Sequence, residues 1–438
     1  MKSIKIKKSN LIILFTIFLY RLLLDQCYFK VIVPLFSSYG FHDYRNITYL
    51  IMSWLVLVFF IIPIKSVLNE KNASFSNIVI FILTIISIIP FSTLVYSGIF
   101  SKSFIIVYII YWITVFIVYF SFKKIKIKPR NIKIGDKILN DKFIIIFGIA
   151  SVLFILYISY KYTHFRLNFN FFKVYELRSE ASNYGSTPLY GYLFPLARMI
   201  NILFLAYCLK RKKYLGAILF FLAQMLSFGI DGLKSAFFMP IIVIVTTLFY
   251  KKDNYTYYKK IVLYGIPIVS LLGILEKLIF NTFYIVNIII RRVLFIPVFL
   301  NSCYVDFFSK NKPDYFFGSF MKLFGFKTNY PNLGNIIGDV YFNQPGMNCN
   351  NGLISDAVSN LGLWGIVILP IILILVLRFM DICADNVDER IFLASAIYFA
   401  VILSNTFLFT ALLTHGMFFG CLVLFFMKEK RSTINESS

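Results

Sequence analysis

The chain has 438 residues, of which 59% are hydrophobic and 19% aromatic, with a formal net charge of +24. A mean hydropathy of +0.79 excludes a water-soluble globule, because runs such as Phe143–Tyr160 and Pro240–Tyr250 have no polar face to turn toward water. The positive excess sits in short loops beside such runs, and no separate basic stripe interleaves with stacking aromatics, which excludes a nucleic-acid partner.

A helix crossing a hydrocarbon core of roughly 30 Å needs about 17–25 apolar residues. In chain order, crossings are expected at 9–25, 47–64, 77–96, 104–122, 143–160, 191–209, 214–230, 235–250, 261–280, 352–377, 391–413 and 416–427. The fold expected is all-α: one polytopic membrane domain over 1–438 with about 12 transmembrane helices. Lys and Arg orient this map, since cytoplasmic loops hold positive charge. A cytoplasmic N-terminus places Lys2, Lys5, Lys7 and Lys8 inside, with the basic loop 123–142, Lys210–Lys213, Lys251–Lys260 and the C-terminal tail. The majority of the 44 Lys and Arg then face the cytoplasm, and Arg21, Arg198 and Lys277 fall within spans. Both termini are expected in the cytoplasm. Arg21, Asp25 and Lys30 follow the basic start without a small-residue cleavage site, so no cleavable signal peptide is expected.

Two stretches on the outer side stand out, 161–190 and 281–351. The longer is rich in Phe, Tyr, Asn and Gly, a composition that argues against disorder. It is expected to fold back over the outer membrane face with interfacial helices near 283–300 and 315–326, which pair an apolar face with a few cations.

Charged groups in and beside these loops are the candidate site residues. Glu176 and Glu180 stand at i,i+4 and share a helix face, with Arg178 pointing elsewhere; a solvated helix face is the plain alternative. Lys234 lies in the turn Asp231-Gly-Leu-Lys-Ser235, where glycine permits close approach. Arg291 and Arg292 interrupt an apolar run with no acid beside them. Such a pair suits bidentate grip on a phosphate or pyrophosphate, and equally suits snorkelling to lipid headgroups. Arg198, Glu276 and Lys277 fit pairing between spans as well as function. Arg21, Asp25 and Lys30 form a further polar group near the outer face, and His415 reads as an interfacial anchor. Six cysteines without CxxC spacing carry no zinc signature, and three histidines without HExxH spacing give no catalytic metal. Cys303 and Cys349 share the longer loop; nothing fixes their separation, so free thiols are expected.

Four segments carry a resemblance: Tyr28 to Phe41; Gly232-Leu-Lys-Ser235; Arg291-Arg-Val-Leu-Phe-Ile-Pro297 followed by Tyr304-Val-Asp-Phe-Phe308; and Ile337-Gly-Asp-Val-Tyr341 with Asn351 to Gly365. On these the chain resembles the bacterial oligosaccharide repeat-unit polymerases, the Wzy type that builds O-antigen and capsular polysaccharide. They look like that family's first outer loop, its Gly-x-Lys-Ser turn, the opening of its large loop and the segment closing it. The resemblance implies a glycosyltransferase at the outer face of the bacterial cytoplasmic (inner) membrane. Its donor would be the growing glycan on undecaprenyl pyrophosphate, and its acceptor a fresh lipid-linked repeat unit. No cofactor or metal is implied; membrane lipids and a chain-length regulator would be further partners. A diphosphate leaving group needs cations, for which Arg178, Lys234, Arg291 and Arg292 are the candidates. Glu180 or Asp339 would serve as general base for the acceptor hydroxyl. Tyr304, Tyr315, Tyr330 and Tyr341 would stack on sugar rings or stand as interfacial belt residues.

Three other functions fit parts of this pattern. A lipid-linked oligosaccharide flippase would show two similar halves and short outer loops, which are not seen. An O-antigen ligase shares the chemistry and differs in product length. A transferase using polyprenyl-phosphate sugars would show an acidic pair in its first outer loop, where only Asp43 stands.

Overall fold

The structure, a computed structural model, describes residues 2–125, 137–167, 174–184, 189–250 and 254–428. Every regular element among them is helical. The first, α1 (Lys2–Cys27), runs through a π-helical turn at Tyr28–Ile32 into α2 (Val33–Phe36) and a 3-10 turn at Ser37–Tyr39. Apolar runs then form α3 (Ile47–Leu68), α4 (Phe75–Tyr96) and α5 (Lys102–Lys124). Each starts at a polar cap: Asn46, Ser74 and Ser101 accept the backbone N–H of Tyr49, Asn77 and Phe104, which satisfies donors that the first turn leaves without a partner.

The chain continues through α6 (Lys137–Thr163), the short polar α7 (Val174–Ser182), α8 (Phe194–Lys210), α9 (Tyr214–Asp231), α10 (Lys234–Phe249) and α11 (Tyr255–Phe280). A π-helical segment, Val286–Phe295, leads into α12 (Ile296–Lys310). The last elements are α13 (Leu333–Phe342), α14 (Ile354–Leu361), α15 (Gly365–Ala384), α16 (Glu389–Leu403), α17 (Leu408–Leu413) and α18 (Met417–Phe426). Among the described residues ten helices are long and apolar enough to cross a membrane, so the chain is a multi-pass membrane protein. Its centre is α4, buried from Phe75 to Val95 and packed against α1, α3, α15 and α16.

Contacts between helix ends define two ends of the bundle. At the first, Ser76 donates through its N–H (2.8 Å) and Oγ (2.7 Å) to Asp381, and Arg378 Nη2 reaches the Ile125 carbonyl at 3.2 Å. Tyr250 donates to Glu389, Lys210 pairs with Asp388 at 3.5 Å, and Lys428 caps the Ile382 carbonyl at 2.9 Å. Fully buried Lys259 of α11 spends its three protons on the carbonyls of Val67 (2.7 Å) and Glu70 (3.0 Å) and on Asn77 Oδ1 (2.8 Å). It thereby closes the last turn of α3, whose final carbonyls have no helical partner. This is the basic end. At the far end, Tyr44 N–H bonds the Ser97 carbonyl at 2.8 Å and Tyr28 Oη bonds the His42 carbonyl at 2.9 Å.

The structure departs from the expected spans in three places. The first helix continues to Tyr39, giving a 30-residue span Asn10–Tyr39 where the sequence suggested that an outer loop begins at Tyr28. Tyr28, Val31 and Ile32 are buried, so packing carries the helix on. The crossing expected over 391–413 is broken between α16 and α17, and those expected over 235–250 and 416–427 fall on the shorter apolar helices Ala236–Phe249 and Met417–Phe426. The third departure is Val286–Lys310, an apolar helix of 25 residues inside the stretch expected as a loop. Both its ends nevertheless lie at the far end. α11 starts beside Asn77 at the basic end and delivers Val286 to the opposite one. Beyond Lys310, Pro313 abuts Gly362, at the start of the helix that reaches Ser76 through Asp381.

Candidate functional site

The far end is roofed by this helix, and its irregular backbone positions the most enclosed cation of the roof. In the π-helical stretch Asn287 and Arg291 share a face, and Asn287 Oδ1 accepts from Arg291 Nε (2.9 Å) and Nη2 (2.6 Å). The buried guanidinium stacks over the Phe36 ring at 4.0 Å and near Tyr39 at 6.0 Å, so it is held flat by an aromatic face. Tyr28 packs on Phe295 with centroids 5.4 Å apart, which joins the two π-helical segments of α1 and the roof. π-helical turns are rare and recur at functional sites. Arg292 beside it is half-buried. Glu276 ends up as a local anchor of this helix: it accepts from Thr282 Oγ1 (2.7 Å) and from the N–H groups of Tyr284 (2.8 Å) and Ile285 (2.8 Å).

A second charged group lies below and beside the roof. Arg21, wholly buried, pairs with Asp25 and donates to Ser92 Oγ (2.8 Å), the Ser92 carbonyl (3.1 Å) and Ser53 Oγ (3.2 Å). Tyr96 lies 5.7 Å from Arg21 and 5.8 Å from Arg45, which itself stacks on Phe29 at 3.9 Å and pairs with Asp43 at 2.8 Å. Of the polar group foreseen from Arg21, Asp25 and Lys30, the first two pair with each other, Lys30 is exposed, and Arg45 with Asp43 lies toward the far end.

The third group gathers α6, α7, α8 and α9. Arg166 grips Glu180 through Nη2–Oε2 (2.5 Å) and Nη1–Oε1 (3.3 Å). The Arg166 hydrogen bond holds the Glu180 carboxyl below the usual glutamate range. Tyr162, Tyr184 and Tyr190 pack ring on ring, the first two stacked at 4.5 Å. Deeper in, Arg198 pairs with Asp231 at 2.7 Å and donates to the Ser227 carbonyl at 2.9 Å, so pairing between helices accounts for this buried cation.

The candidate residues thus fall into two neighbourhoods. Arg178 and Glu180 lie exposed on α7, which packs on α9; Lys234 opens α10 just beyond that helix, and its side chain lies outside the described residues. Gly232, with φ +62°, is the left-handed cap that ends α9, which explains the glycine without a ligand. Arg291 and Arg292 lie in the roof helix. Asp339 is exposed on α13, which is tied to α12 by Tyr341 Oη donating to Asp306 at 2.6 Å. Residues 168–173 and 185–188 of the loop 161–190, and 126–136 of the basic loop 123–142, lie outside the described residues. Of the four tyrosines proposed to stack on sugars, Tyr304 is buried and bonds the Cys349 carbonyl at 3.1 Å, because α12 is a packed helix rather than a surface loop. Tyr315 is exposed, whereas Tyr330 is held by the Lys312 carbonyl at 2.7 Å. Cys303 and Cys349 are buried free thiols. No three His, Cys, Asp or Glu side chains form a metal-ligand group among the described residues.

Arg166, Asn287, Arg45 and the aromatic platform of Phe36 were not singled out from sequence. Asn287, four residues before Arg291, was the readable signal; Phe36 and Arg45 become neighbours of the cations only through the tertiary fold. Comparison with protein-family models, with curated proteins and with solved structures finds no match to this chain.

Proposed function

We propose that the protein polymerises undecaprenyl-pyrophosphate-linked oligosaccharide repeat units into surface polysaccharide, with the far end facing outward from the bacterial cytoplasmic membrane. The observation that carries this reading is the roof: a helix that starts and ends on one side of the bundle and presents Arg291, clamped by Asn287 and stacked on Phe36. A fixed guanidinium next to an apolar body is what a lipid diphosphate needs, with its tail in lipid and its charge at the helix end. In this reading the chain passes between the two sides twelve times, α16 and α17 forming one interrupted passage. Lys and Arg at the basic end then face the cytoplasm, together with both termini.

Arg291 and Arg292 take the pyrophosphate of the donor, with Arg178 and Lys234 on the second flank. Asp339 is the acid we assign to the acceptor hydroxyl. Glu180, already gripped by Arg166, is a weaker base for that step and anchors α7 instead. The deciding experiment is replacement of Arg291 by Ala, followed by gel analysis of surface glycan. Single repeat units on lipid with no long polymer are expected, and normal polymer would end the assignment.

A second reading, transport of the same lipid-linked glycans, draws on the interrupted α16–α17 passage, since discontinuous helices mark transporter sites. Deleting the gene separates the two. Lipid-linked units accumulate on the outer leaflet if polymerisation is lost, and on the inner leaflet if transport is lost.

A further inference from the structure

Between α13 and α14 the chain dips back into the bundle and meets the interruption of α16–α17. Gly352 sits so close to that break that a Cβ on it would overlap the carbonyl oxygens of Leu403 and Thr406. The next residue, Leu353, holds φ +52°, a left-handed conformation that costs a non-glycine residue of order 1 kcal/mol or more. Asn351 Nδ2 ties the dip to α12 through the Pro297 carbonyl (2.9 Å) and Asn301 Oδ1 (3.1 Å). One carboxyl group joins this dip to the far side of the break. Asp356 Oδ2 accepts the Leu408 N–H at 2.6 Å, at the start of α17, while Oδ1 accepts from Asn360 Nδ2 at 2.8 Å.

Asp356 is 1% exposed, and among the described residues no cation pairs with it. Beside it is a cavity of about 10 Å³ lined by Tyr111, Leu353, Leu369, Leu373, Leu403 and Leu408, room for a single water. Tyr111, itself fully buried, has a hydroxyl with no hydrogen-bond partner. The titratable groups facing Asp356 are Tyr111 from α5 and Tyr304 from α12; α15, α16 and α17 face it with leucines. An ionised carboxylate here would be enclosed without a counter-charge, an arrangement that proteins avoid by neutralising the group. The neutral acid keeps both acceptor contacts and gains an O–H that needs an acceptor, and Tyr111 supplies the one polar side chain left on the cavity wall.

We propose that Asp356 is a buried proton-binding site, a neutral carboxylic acid that donates through a single water in the cavity to the Tyr111 hydroxyl of α5 while its Oδ2 holds the start of α17, and so locks α5, α14 and α17 together. The lock reaches the roof through the dip, where Asn351 holds Pro297 and Asn301 of the roof helix, and it reaches the segment after the roof through Phe409, whose ring packs on Phe316 (5.4 Å) and Phe320 (4.7 Å). Loss of the proton sets a negative charge in the cavity, and the dip, α17 and the roof loosen together.

Infrared difference spectra of the full-length protein in lipid nanodiscs, wild type against Asp356→Asn at pH 7, test this directly. A carboxylic-acid C=O band lost in the variant is expected, and Tyr111→Phe is expected to shift that band because the bridge across the cavity loses its far partner. Carboxylate bands lost in its place, or a band indifferent to Tyr111→Phe, overturn the proposal. Thermal unfolding gives the second readout. The wild-type unfolding temperature falls relative to that of Asp356→Asn as pH rises from the ordinary aspartate value of about 3.9, because only the unfolded chain gives up this proton there; parallel curves overturn it. Should Asp356→Asn fail to fold, titrating the C=O band to alkaline pH in wild type and Tyr111→Phe reads the same site.

Discussion

Single side chains at the two ends do different work. Lys259 gives three oxygens around the end of α3 a further donor, while each keeps a second one from Asn77 Nδ2, Thr256 Oγ1 or Tyr255 Oη, so Lys259→Met should cost about 0.5–1.5 kcal/mol per hydrogen bond lost. The six native thiols are all buried, so the onset of reaction with a thiol dye on heating reports unfolding, and it should move to a clearly lower temperature in this variant. Arg291 is held by geometry as much as by charge. Arg291→Lys keeps the charge but loses the planar stack on Phe36 and the paired bonds to Asn287, so only part of the polymer length should return on the gel. Phe36→Leu should shorten the product in the same direction, because it removes the ring and leaves the cation. The sequence made Arg291 conspicuous as a cation in an apolar run. It could not show the ring beneath it, since Phe36 and Arg291 are far apart along the chain and meet only when α2 packs against the π-helical segment Val286–Phe295.

At the scale of elements, α7 is the piece whose docking depends on pH. Glu180 is held below the ordinary glutamate value by Arg166. A depressed carboxyl contributes its share of docking above its unfolded value and loses it as pH falls through its folded one. Loss therefore begins near the ordinary glutamate value of about 4.3 and is complete below it. Hydrogen exchange over 174–184 should quicken as pH falls through that window, once corrected for intrinsic rates. Glu180→Gln should be equally quick at neutral pH. An exchange rate indifferent to both changes would show that α7 is held by its buried Leu177 without help from the ion pair. The interrupted α16–α17 passage and the continuation of α1 to Tyr39 were not readable, and for a common reason. Both depend on which neighbour fills a gap: Gly352 against the break, Phe295 against Tyr28. The long apolar helices were readable because length and composition are local properties. The stretch 283–300 was expected as an interfacial helix of a loop, whereas it forms part of one apolar helix of 25 residues, Val286–Lys310, a length that composition alone would assign to a crossing.

For the molecule as a whole, sidedness is the quantity on which the proposed chemistry turns. Cysteines introduced at Lys310 and Asp339 should react with a membrane-impermeant maleimide added to intact cells. One at Lys124 should react only after the membrane is opened. The reverse pattern would place the roof in the cytosol and remove its access to an outward-facing glycan. The α4 helix adds a different lesson. The helix is strongly apolar and its spanning stretch is wholly buried, so in the finished protein it is solvated by other helices and touches no lipid. Ribosome-coupled delivery, however, presents each segment to the bilayer before its later neighbours exist, and α15 and α16 are made long after α4. The greasiness of α4 is thus a boarding requirement for biogenesis. Polar replacements along it should be rejected at the insertion machinery even where the completed bundle has room to accommodate them.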